Sequence, residues 1–244
     1  MQSTRWFASA LFVLCVPLFL LLTNVRVAAM DARVYEYSFA TYNVPEVTGV
    51  DRPQLDAAAR DIVAYFADER PLLTTQVTID REPEPLFTPR EALHMRDVKA
   101  LFRQAFALHE ITFAYFVAYI AAVFLWSHER SLLRLASQCM LAGAVTAGVL
   151  AVAALASVVG FDALFRGFHL LSFANDFWEL DPTRDHLIQM FPRDFWFTVT
   201  LAVGAATIVE GALLALAGLG LRTWLRRTPS TPRLEAAPLP LDRT

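Results

Sequence analysis

The stretch CMLAGAVTAGVLAVAALASVVGFDALF, residues 139–165, runs for 27 positions with one charged side chain, Asp162. A helix crosses the roughly 30 Å of bilayer hydrocarbon in about 20 apolar residues, so this segment reads as a transmembrane helix. Working outward, three more blocks have the same character: WFASALFVLCVPLFLLLTNV (6–25), ITFAYFVAYIAAVFLW (111–126) and FWFTVTLAVGAATIVEGALLALAGLGL (195–221), the last interrupted by Glu210. The apolar residues, 56% of the 244, come in long blocks rather than in the alternating or 3.6-residue patterns of a soluble core. The expected fold is an α-helical integral membrane protein with four transmembrane helices, at 6–29, 109–126, 138–162 and 195–221. A mixed extracytoplasmic segment is expected between spans one and two. With 21 Lys+Arg against 24 Asp+Glu, the chain has no basic excess to suggest nucleic acid as a partner.

The first block has a second reading. Arg5, the apolar run and the small residues Val27-Ala28-Ala29 also fit a cleaved signal peptide, although the run is long for one. Cys15 and Cys139 fall in or beside spans and read as small apolar side chains rather than a disulfide. Short loops set orientation: Arg5, Arg130, Arg134, Arg222, Arg226 and Arg227 flank the spans on one side, which is therefore expected to be cytoplasmic, with both termini. Residues 30–108 and 163–194 are then extracytoplasmic. The tail TPSTPRLEAAPLPLDRT (residues 228–244) reads as disordered.

The segment before span two is patterned. Asp51-Arg52-Pro53 predicts a helix start, and Leu55, Ala59, Ile62, Val63 and Phe66 form its apolar stripe to about residue 67. LLTTQVTI (72–79) predicts a short strand, and REPEP (81–85) a proline-punctuated connector. Thr88-Pro89-Arg90-Glu91 combines a capping hydroxyl, proline at the first helical position and a glutamate three residues on, so a helix begins there. Nothing stops it before Trp126. On an upright helix, His94 would stand roughly 20 Å above Ala107.

Among ionisable candidates, His128 beside Glu129 reads as a solvated loop residue, and His109-Glu110 as interfacial polarity. Glu210 lies deep in span four and is expected to be protonated or structurally paired. Two groups remain. One is His94 with Asp97, followed by Lys99, whose alternatives are catalysis or pairing with a neighbouring segment. The other is the loop 165–192, where six aromatic residues, Trp178 among them, are interleaved with His169, Asn175, Asp176, Asp181, Asp185 and His186. A re-entry at headgroup level would account for its aromatics. No G-x-S-x-G elbow, glycine-rich phosphate loop, H-E-x-x-H or paired C-x-x-C is present. What these residues offer is histidine acid–base chemistry facing the membrane.

The elements EALHMRDVK (91–99) and FHLLSF…NDFWELDPTRDHLIQMFP (168–192) resemble those of the lipoprotein intramolecular transacylase (Lit) family of bacterial membrane proteins. The four-span layout, with a large segment after the first span and a shorter one after the third, is similar too. The resemblance implies a transferase of the bacterial plasma membrane that moves the sn-2 acyl chain of a diacylglyceryl-cysteine to that cysteine's own α-amine, giving a lyso-form N-acyl lipoprotein. It places the active site on His94 and His169, with Asp97, Asn175, Trp178, Asp181 and Asp185 in support. His94 is taken as base, and exchanging the two roles fits the sequence equally well; an acyl-imidazole route is a further option. The implied partners are diacylated lipoproteins and membrane lipid. No metal, cofactor, nucleotide or nucleic acid is called for. Two other classes fit the same residues: a metal-dependent membrane hydrolase using His94, His169, Asp97 and Asp185, and a non-enzymatic accessory protein that docks partners on its aromatic loop.

Overall fold

The computed structural model describes residues 2–79, 81–126 and 129–227. His128 and the tail from residue 228 lie outside the described residues. Among the described residues four helices are long and apolar enough to cross a membrane: α1 (Gln2–Met30), α5 (Pro89–Trp126), α6 (Glu129–Ser172) and α8 (Arg193–Arg227). Each contains one of the four apolar blocks. Between α1 and α5 the chain folds as α2 (Ala32–Thr41), α3 (Val44–Thr48), α4 (Arg52–Ala67) and the antiparallel hairpin β1 (Gln76–Ile79) with β2 (Glu82–Pro85). A single turn, α7 (His186–Met190), lies between α6 and α8.

Small residues close the seam between α6 and α8. A Cβ on Gly218 would stand 2.6 Å from the Ala136 carbonyl oxygen, and one on Gly143 2.6 Å from the Ala215 amide nitrogen. Neither position has room for a side chain, so the two backbones touch. Lipid tails are as apolar as the helices, and such close packing substitutes for the missing hydrophobic drive. α1 lies against the other three long helices through Phe12 and Val16, which pack with Phe116 and Ala142, and through three polar side chains. Thr23 bonds His109 (2.9 Å), Asn24 Nδ2 donates to Glu210 (2.8 Å), and Arg26 pairs with Glu110 (3.1 Å). Glu210 is thus structurally paired, as an acid inside a span must be.

The cap above the spans has a core of its own. Leu55, Ala58, Ala59, Ile62, Tyr65 and Phe66 of α4 are buried with Phe39, Leu73, Leu86, Met190 and Phe195. Asp51 caps α4, accepting from the Gln54 amide (3.0 Å). The strand is shorter than the sequence suggests, covering 76–79. The stretch read as a connector is in fact β2, paired with β1 through Val77↔Glu84 and Thr78↔Pro83. Prolines 83 and 85 alternate with Glu82 and Glu84, so their missing N–H groups fall on the open edge of a two-stranded sheet, where none is needed.

Lys99 is buried against α4. Its ammonium donates to Asp68 (3.1 Å) and to the Arg70 carbonyl (2.8 Å) and sits 4.0 Å from the centre of the Tyr65 ring. Of the two alternatives for this lysine, pairing with a neighbouring segment is the one observed.

Candidate active site

The beginning of α5 is fixed by the capping box. The Glu91 carboxylate accepts from the Thr88 amide (2.7 Å), and the Thr88 hydroxyl accepts from the Glu91 amide (3.3 Å). Glu91 is fully buried because its other oxygen accepts from the Leu187 amide of α7 (2.6 Å). His186 donates from Nδ1 to the Leu86 carbonyl (2.6 Å), and Ser38 of α2 to the Met190 carbonyl (2.6 Å). The short α7 is therefore pinned to the cap on three sides, one turn of α5 away from His94.

α5 is 38 residues long and α6 is 44, each far more than a bilayer crossing needs. Their polar ends, with Arg90 to Arg103 on α5 and Arg166 to His169 on α6, project past the apolar blocks. α6 breaks at Gly160, whose backbone is non-helical (φ −152°, ψ 52°). Beyond the break Asp162 pairs with Arg193 at the start of α8, which holds residues 161–172 as a separate arm.

That arm carries His169 to His94. The two imidazoles have ring centres 6.1 Å apart with planes at 30°, and both residues are 8% exposed. Aromatic rings enclose them. Phe173 stands edge-on to His94 at 5.2 Å, while Phe165, Phe168 and Trp178 lie 4.3, 5.3 and 5.0 Å from His169. Because a carbonyl oxygen only accepts, the 2.7 Å contact between His169 Nδ1 and the Phe165 carbonyl puts a proton on Nδ1. The neutral ring then presents the lone pair of Nε2. His94 Nδ1 is buried with no hydrogen-bond partner among the described residues.

Burial disfavours charge on both rings. It pushes His94 down to about 4; a positive His169 would push the same way, and Asp97 pulls weakly back. His169 is also lowered by burial, against the opposing effect of its bond to Phe165. At neutral pH the pocket holds two uncharged imidazoles, each able to take up or release a proton.

A family model described as "Lipoprotein intramolecular transacylase Lit" matches residues 10–196. The chain belongs to the Lit family. The membrane-integral lipoprotein intramolecular transacylase Lit from Bacillus cereus has the same fold, with a TM-score of 0.72 at 17% identity over 93% of this chain and all of that one. Structures of that Bacillus cereus protein with a histidine replaced by arginine or by alanine match with TM-scores of 0.64 and 0.65 at 18% identity, over 92% and 93% of this chain and 96% and 99% of theirs. No curated protein matches.

In this Lit-family chain the residues singled out in sequence separate into two groups. His94, His169 and Trp178 meet in the pocket. Asp97 makes no hydrogen bond to His94 among the described residues; it accepts instead from Asn175 Nδ2 (2.8 Å) and so ties the loop after α6 to α5. Arg90 reinforces that tie through the Asp176 carbonyl. Asp181 and Asp185 shape the loop itself: Asp181 accepts from Thr183, and Asp185 from the Asp181 amide (2.7 Å). Among the described residues no three His, Cys, Asp or Glu side chains converge as metal ligands. In sequence Glu91 stands out only as part of a cap, and Phe165, whose carbonyl orients His169, only as one aromatic residue among six. The four-residue spacing from Phe165 to His169 is the signal that would have found the latter.

Proposed function

We propose that this protein moves the sn-2 acyl chain of a diacylglyceryl-cysteine lipoprotein to the cysteine's own α-amine at the extracytoplasmic surface of the bacterial plasma membrane. The observation that carries the reading is the meeting of His94 and His169, 75 positions apart in sequence, as buried imidazoles inside an aromatic enclosure.

An α-amine, with an ordinary pKa near 7.7 to 8.0, attacks an ester only as the free base. His169, its Nδ1 proton held by Phe165, has Nε2 available to take a proton as the amine attacks. Of the two assignments open in the sequence we take this one, because His169 Nδ1 is bonded to the Phe165 carbonyl while His94 Nδ1 has no partner among the described residues. His94 then donates to the departing sn-2 glycerol oxygen. His169 passes the proton lost by nitrogen to His94, which delivers it to that oxygen, so that the C–N bond forms, the C–O bond breaks and both rings end uncharged.

Donor and acceptor share one molecule, so attack closes an eight-membered ring. Holding such a ring closed contributes about 7 to 11 kcal/mol in well-oriented intramolecular reactions. The aromatic wall of Trp178, Phe165 and Phe173 suits that task, being rigid and apolar beside acyl chains. Asp97 and Asn175 hold the wall in place. Ester to amide runs downhill and needs no nucleotide.

The test is mass spectrometry of the N-terminal lipopeptide of a reporter lipoprotein, made in a host without other N-acylating enzymes. Wild type should give the lyso-form N-acyl peptide, and equally expressed His94→Ala and His169→Ala should leave a diacylated peptide with a free amine. A free amine with the wild type, or N-acylation by both variants, would sink the proposal.

A further inference from the structure

On the opposite side of α5 from His94 lies a cleft of about 360 Å³ between the last turns of α1, the end of α4 and the middle of α5. Nine residues separate His94 from Arg103, about two and a half helical turns, so the two face opposite ways. The cleft's polar lining is two arginines and two glutamates: Arg26, Arg103, Glu69 and Glu110. Its apolar floor includes Phe66 and Phe106.

Its depth is set by what surrounds it. Below it, α5 exposes Ile111, Phe113, Val117 and Phe124, and α1 exposes Leu14. Above it, Glu69 is 88% exposed at the polar end of α4. The cleft therefore opens where hydrocarbon gives way to water, the level of phospholipid headgroups.

Both guanidiniums are held in place but incompletely engaged. Arg26 lies over Phe106 (4.8 Å) and uses Nη1 on Glu110. Arg103 uses Nη2 on the Asp68 carbonyl (2.6 Å) and on Glu69 (2.9 Å). Among the described residues the remaining N–H groups of each have no partner, and a guanidinium fork suits phosphate oxygens. The flanking glutamates make the cleft neutral overall, with cations and anions side by side. An anionic headgroup would add an unmatched negative charge to this neutral set of ion pairs. A zwitterionic one answers both signs.

We propose that this cleft binds one outer-leaflet phospholipid with a phosphoethanolamine headgroup, its phosphodiester on Arg26 and Arg103 and its ammonium on Glu69 and Glu110. The site is separate from the histidine pocket and does not depend on the reaction assigned to it.

Native mass spectrometry of the full chain in detergent, titrated with phosphatidylethanolamine, phosphatidylglycerol or inorganic phosphate, tests it. Phosphatidylethanolamine should be retained at least tenfold more tightly than phosphatidylglycerol. Arg26→Gln with Arg103→Gln should lose at least tenfold, and Glu69→Gln with Glu110→Gln should remove the preference for the zwitterion. Thermal melting in the same detergent checks that each variant folds. Should the arginine pair fail to fold, Glu69→Gln alone, at a largely exposed position, must still narrow the preference. Equal retention of both lipids by the wild type overturns the proposal. So does unchanged binding in a folded arginine variant, or displacement of the lipid by an equal concentration of inorganic phosphate, which would assign the arginines to a free anion.

Discussion

Two histidines on α5, fifteen residues apart, have different fates. His109 rests flat against Phe19, with ring centres 4.8 Å apart and planes at 16°. The Thr23 hydroxyl donates to the Phe19 carbonyl (2.8 Å), so it can only accept from His109 Nε2. The ring is thereby fixed between α1 and α5 with its N–H satisfied. His94 also has a buried Nδ1 without a partner, but its neighbour is a second imidazole rather than a threonine. The helix supplies the same residue twice. What packs opposite separates the fastening from the proposed reagent.

The largest effect should separate the two. Replacing His94 or His169 by alanine should lower the rate of lipopeptide N-acylation by about 10²- to 10⁴-fold, the range of general acid–base catalysis. His109→Ala should leave it within a few fold while lowering the melting temperature. Comparable losses in all three would erase the distinction.

Acidity sharpens it next. Burial holds His94 near 4 and His169 below its usual value, so the first acid limb of kcat/KM should follow the substrate α-amine, about tenfold per unit below its pKa near 7.7 to 8.0, and histidine protonation should steepen the fall only below pH 6.5. Stability follows the same sign. The folded pKa lies below the unfolded one, so this contribution is complete above about pH 6.5 and is lost as the pH falls toward 4. Chemical denaturation in detergent at pH 7.5 and 5.0 should show the loss in wild type and less of it in His94→Phe.

At the other histidine, Thr23→Val leaves the His109 N–H buried and unmet, at a cost of roughly 1 to 3 kcal/mol, readable as a lower melting temperature with N-acylation retained by the folded fraction. The smallest effect is at the loop. Asn175→Ala removes one hydrogen bond to Asp97, worth about 1 kcal/mol. It should slow N-acylation several-fold by freeing Trp178 from its place over His169, and Asn175→Asp, which sets two carboxylates together, should be worse. Equal rates for wild type and both variants would show that the loop needs no tie.

The four spans were legible because apolar runs of membrane length have no other stable use in water. The start of α5 was legible because Thr88, Pro89 and Glu91 each do something local. The end of α6 was not: Arg166 and His169 look like loop residues, yet the helix continues to Ser172 past its break at Gly160. β2 was hidden by prolines that matter only where an N–H is needed. The partnership of His94 and His169 was legible only by resemblance, since no spacing reveals contact across 75 residues. It depends on the angle set at Gly160 and on the clasp of Asp162 by Arg193.

The threefold pinning of α7 bears on the order of synthesis. Leu86 and Glu91 leave the ribosome 100 and 96 residues before His186 and Leu187, and Ser38 152 residues before Met190. Until α6 has been inserted and the chain has returned, the Glu91 carboxylate holds only one of its two amide partners and the pocket lacks half its walls. A nascent chain interrupted before the end of α6 would thus carry His94 with no second imidazole opposite it, and the proposed pocket would close only once the chain had come back to the cap.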